Sequence, residues 1–155
     1  MNNLIYINLH LESVNDKRRT IKSILLDHIF QIRHEFVTIS KEDPVGSHND
    51  IHHVLKYIED VVYSPTIHNI RSSIWLLTTA KKAIKIQLCL TESSNMMKFL
   101  HMVYNSYLIM SLELNQILRN IMLNERKISV EEPIPTPTIR LKPNNQTNKT
   151  TSCQI

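Results

Sequence analysis

His48 and His52 stand four residues apart, with Asp50 between them and His53 adjacent. That spacing puts two imidazoles on one face of a helix and offers half of a metal site. A structural zinc takes four ligands, and the two cysteines, Cys89 and Cys153, are remote from the pair. The expectation is therefore polar residues near a helix start rather than a metal site, and the same holds for His28 and His34. His52 and His53 precede Glu59 and Asp60, but a base and its orienter must converge on a substrate, which spacing does not arrange. No serine sits in a Gly-flanked turn, and no cysteine has an evident histidine partner. No catalytic residues, no metal and no cofactor are expected, and the protein reads as non-enzymatic.

The cations form a clearer pattern. No acidic residue occurs between Thr66 and Thr91, where Arg71, Lys81, Lys82 and Lys85 lie. At about 100° per helical residue, Arg71, Lys82 and Lys85 share an arc of about 60°, away from the apolar stripe. Lys17, Arg18, Arg19 and Lys22 make a second cluster. Faces of this kind can track phosphates without reading sequence, although a charged helix face is more often solvated surface or protein contact.

Composition removes several chemistries. The 155-residue chain has one glycine, so Gly-rich phosphate loops, dinucleotide fingerprints and tight Gly hairpins, which need a residue without a Cβ, are excluded. Eighteen basic against fourteen acidic residues leave a net charge of +4, an ordinary solubility charge. Two cysteines make no disulfide framework and point to a reducing compartment. Leu4, Ile5, Ile7, Leu9 and Leu11 lack the basic flank and small-residue cleavage site of a secretory signal, so an intracellular location, cytoplasmic or nuclear, is expected. The charge-free run between Lys98 and Glu113 is too short for a bilayer, which takes about 20 residues.

The elements that must position these residues follow from periodicity. Met96, Leu100, Val103, Tyr107, Met110, Leu114, Ile117 and Ile121 recur at fours and threes, the a/d signature of a helix with one apolar seam. This seam is the candidate partner or oligomer surface. Phe99, Met102, Leu108, Ile109 and Leu112 are apolar off the seam, which predicts a helix enclosed on several sides. Three helices precede it. The first is predicted over 14–36 with Ser13 as N-cap, on Ile21, Leu25, Ile29, Ile32 and Phe36. The second, capped by Ser47 or Asn49, carries Ile51, Val54, Leu55, Ile58, Val61 and Val62 and ends at Tyr63. The third starts at Pro65 after Ser64 and carries Ile70, Ile74, Leu77, Ile84 and Leu88, with Trp75 on another side. Residues 3–11 alternate and suit a short strand, an ordered N-terminal arm or the first turn of a helix. From about Ser129 the chain turns to Pro, Asn, Thr and Lys, a composition that cannot offset chain entropy and predicts a disordered tail. Its prolines at 133, 135 and 137 are spaced by two, so no PxxP is present. Thr136 precedes Pro137 as a proline-directed phosphosite, and Asn145 and Asn148 begin N-x-T sequons that matter only in a secreted chain.

The expected fold is all-α, a compact bundle of about four helices over 1–128 followed by a disordered tail over 129–155. The a/d seam, longer than the second helix, also suggests a homo-oligomer. The expected function is a helical interaction or regulatory protein acting on partner proteins. Plentiful Asn, Ile, Lys, Ser and Thr beside scarce Gly suggest a viral accessory protein with host or viral partners. The alternative is an RNA- or DNA-binding protein using the basic residues of helices one and three.

Overall fold

In the computed structural model, which describes residues 6–42 and 49–131, and of these the side chains of all but 42, 49 and 125–131, the chain forms four helices. These are α1 (Ile21–Glu42), α2 (Asn49–Tyr63), α3 (Ile67–Leu90) and α4 (Ser94–Glu131). The fold is an all-α helical bundle. The chain divides into two units, Met1–Arg119 and Asn120–Ile155, and the described part of the second is the last turns of α4.

Helix α1 starts later than Ser13, a correction with a local cause. The Ser13 hydroxyl accepts the backbone N–H groups of Asn15 and Asp16 at 3.1 and 3.0 Å, and Asp16 accepts that of Arg18. These short-range bonds offer the backbone an alternative to helix. Thr20 takes over as cap, its hydroxyl accepting the Ser23 N–H at 3.1 Å. Lys17, Arg18 and Arg19 therefore lie in the turn before α1 rather than on it, and only Lys22 is helical.

Helix α3 likewise begins two residues beyond the expected Ser64–Pro65 start. Thr66 is extended, and its side chain accepts the Asn69 N–H. The N-terminal arm causes the shift: the Ile7 N–H donates to the Pro65 carbonyl at 2.6 Å, and Tyr6 forms an isolated antiparallel bridge with Thr66. Residues 6–11 are accordingly an arm, not a strand. At α4 the Ser93 hydroxyl accepts the Met96 N–H at 3.2 Å. The helix continues past Ile121 to Glu131, the last of the described residues. The expected tail beyond that point lies outside the described residues, as do residues 43–48.

The apolar stripes define the core. All six expected positions of α2 are buried, as are Ile21, Leu25, Ile29 and Ile32 of α1 and Ile70, Leu77 and Ile84 of α3. Direction follows from cross-contacts. Phe36 packs on His52 at 4.2 Å between ring centroids, Arg33 pairs with Glu59 at 3.0 Å, and Lys22 lies 5.4 Å from the Tyr63 ring centroid, so α1 and α2 run antiparallel. Phe36 also meets Phe99, and His28 bonds to Ser106 at 3.0 Å, which sets α1 antiparallel to α4. Helices α2 and α3, joined by three residues, pack on each other.

Met96, Leu100, Val103, Tyr107, Met110, Leu114 and Ile117 are buried within the single chain, and Ile121 is half-buried. The seam is thus taken up by the chain's own core. The expectation that the middle of α4 is enclosed on several sides is corrected: Leu108, Ile109 and Leu112 are 36%, 38% and 47% exposed. The α4 contacts at Phe99, Ser106 and Glu113 all go to α1 or the segment before it, and the opposite face meets solvent. No helix among the described residues is long and apolar enough to cross a membrane.

Candidate functional site

Trp75 is 70% exposed although it is the chain's only tryptophan. Its position follows from the period of α3. Ile70, Ser73, Leu77 and Ile84 face the core, and at about 100° per residue Trp75 is carried to the opposite side. There it helps to line a groove of about 490 Å³ between α2 and α3, with Tyr57, His68, Arg71, Ser72 and Leu76. Tyr57 comes from α2 and is 37% exposed. Two aromatic rings from facing helices with one guanidinium are the residue types that carry most of the energy at protein interfaces.

Arg71, Lys82 and Lys85 are all exposed, and Arg71 and Lys82 lie four and seven residues from Trp75, on the same face. No ion pair involving these three forms among the described residues. The acids of α2 nearest to Tyr57 in sequence are occupied: Glu59 pairs with Arg33, and Asp60 with Lys56 at 3.2 Å. The Arg33 hydrogen bond holds the Glu59 carboxyl below its ordinary range. The first basic cluster behaves differently. Arg18 pairs with Asp16, Arg19 with Asp27, and Lys22 sits over Tyr63, while Lys17 is exposed. Three of its four cations are thus engaged within the chain.

A second arrangement is buried. Glu113 on α4 is 1% exposed, and its Oε2 accepts from the Ser13 hydroxyl at 2.8 Å and the Asn15 side-chain amide at 2.9 Å. Its Oε1 is buried without a hydrogen-bond partner, as is the Tyr107 hydroxyl. Burial, with a smaller contribution from Asp50, pushes the Tyr107 phenol well above its ordinary pKa. Burial also pulls the His28 imidazole below its usual value, assisted by Arg19 and opposed by Asp27 and Glu113. This cluster fastens the segment before α1 to α4.

His52 packs on Phe36 and His34 stacks near Phe30, and His48 lies outside the described residues. No group of three or more potential metal-ligating side chains forms among the described residues. Cys89 is exposed and free, and Cys153 lies outside the described residues.

Sequence reasoning singled out Arg71, Lys82 and Lys85 but not the groove that Arg71 shares with Trp75 and Tyr57. Trp75 was visible as an off-stripe aromatic, whereas Tyr57 needed the pairing of α2 with α3. Glu113 also had a signal: it sits between Met110, Leu114 and Ile117 on the seam side of its helix. Comparison of the chain with protein-family models, with curated proteins and with solved structures finds no match.

Proposed function

We propose that the protein is a non-enzymatic interaction module that binds a protein partner through the α2–α3 face. The observation that carries this reading is the exposed Trp75 in an apolar groove opposite Tyr57. Burying an aromatic side chain in such a setting contributes about 1.5–3 kcal/mol, and its own chain leaves that area open. A photo-crosslinking residue placed at Ser72, which lines the groove, tests the reading in extracts of cells that make the protein. Crosslinks to another polypeptide that disappear in Trp75→Ala are expected. If Ser72 yields none, or only ones that persist without the indole, the α2–α3 face is not a docking surface.

A second reading is supported by the exposure of Arg71, Lys82 and Lys85 on the Trp75 side of α3. An aromatic ring among cations also suits single-stranded nucleic acid, with bases stacking and phosphates neutralised. The two readings share residues and differ in their dependence on salt.

A further inference from the structure

Resting on the docking reading above, we infer that the occupant of the α2–α3 groove is a polypeptide segment that places an apolar or aromatic side chain between Tyr57 and Trp75 and a carboxylate against Arg71. The walls set the first half of this chemistry. Tyr57, Trp75 and Leu76 supply apolar surface from two helices, with Ser72 between Arg71 and Trp75 along the sequence. A groove with apolar walls gains from a side chain that fills it and displaces water.

Charge sets the second half. Arg71 lines the same groove, α3 contains no acidic residue, and Glu59 and Asp60 of the facing helix already hold Arg33 and Lys56. A guanidinium covered by a partner without a counter-charge would lose its hydration uncompensated. The planar fork of Arg71 favours a carboxylate, which it can bind through two parallel N–H donors. His68 lines the groove as well, and an imidazole N–H is a further donor for a carboxylate. The two-walled, largely apolar lining favours an inserted side chain over a nucleobase, which stacks on one open ring face.

The test selects peptides from a random twelve-residue display library on the immobilised full-length chain and titrates the synthetic winners against Trp75 fluorescence. Because Trp75 is the only tryptophan, its emission reports on this groove alone when the peptides lack tryptophan. Winners are expected to carry Asp or Glu within one helical turn of Leu, Ile or Phe and to shift Trp75 emission. Arg71→Glu should weaken them at least tenfold and, in a repeat selection, exchange the acidic residue for Lys or Arg. Trp75 and Arg71 are both exposed, and unchanged far-UV circular dichroism confirms that the variants fold. Winners that shift Trp75 without acidic residues, or that are indifferent to Arg71→Glu, overturn this inference and leave the docking reading standing. Failure to select any peptide that depends on Trp75 removes both. A ten-residue oligothymidylate that shifts Trp75 emission more tightly than any peptide overturns the inference in favour of nucleic acid.

Discussion

Ser13 does two things with one hydroxyl. It donates to the buried Glu113 carboxylate and accepts the backbone N–H groups of Asn15 and Asp16. Removing it leaves a carboxylate that is 1% exposed with one fewer donor and unfastens the turn before α1. Ser13→Ala is therefore expected to lower unfolding stability by about 1–3 kcal/mol, the cost of leaving buried polar groups unsatisfied, measurable by urea denaturation. A loss no greater than that of an exposed Ser→Ala change would mean that the contact is incidental. His28 gives a pH signature in the same region. Burial lowers its folded pKa below the ordinary 6.5, so the folded state binds fewer protons than the unfolded one as pH falls. Its contribution is complete above about pH 6.5 and declines as the pH drops from there toward the folded value. The urea midpoint at pH 5.5 should thus fall relative to pH 7.5, and His28→Gln should flatten that fall. An equally steep fall in the variant would place the titrating group elsewhere.

Helix starts show what a sequence reveals about an element and what it withholds. The apolar periods of all four helices were legible because burial on one side forces a spacing of threes and fours, and the six positions read for α2 are all buried. The starts of α1 and α3 were less legible, since Ser13, Thr20, Ser64 and Thr66 are all competent caps and the choice is tertiary. The arm residues Tyr6 and Ile7 hold 65–66 extended, and Glu113, a hundred positions away, engages Ser13. The groove was illegible for the same reason, because Tyr57 and Trp75 come to line one groove only through the packing of α2 on α3. Thr66 is the cap that tests this view. It is 4% exposed and accepts the Asn69 N–H at 3.1 Å, so Thr66→Ala should cost about 0.5–2 kcal/mol, whereas Ser64→Ala should cost less than half as much. Equal losses would return the start of α3 to Ser64.

For the whole molecule, self-association and nucleic-acid binding both reduce to which surfaces the fold leaves open. With seven of the eight seam residues buried in the chain's own core, the seam no longer supplies a drive to oligomerise. Light scattering is expected to give the 18.2 kDa monomer at tens of micromolar. A larger mass that Leu108→Glu returns to the monomer would locate an interface on the outer face of α4. Charge decides the other question. A net +4 attracts any polyanion at low salt, so weak binding alone is uninformative. If Arg71, Lys82 and Lys85 each neutralise one phosphate of a single strand, the logarithm of the affinity falls with the logarithm of salt at a slope of about −2. Between about 50 and 200 mM salt that amounts to roughly a twentyfold loss, and the triple change to Glu should abolish both the binding and the slope. Peptide docking in the groove is mainly apolar, with one ion pair, and should weaken only about two- to threefold over the same range. A steep loss that the triple variant removes would establish phosphate contact by this face. A shallow dependence shared by wild type and variant would exclude it and leave the groove, rather than the cations beyond it, as the working surface of α3.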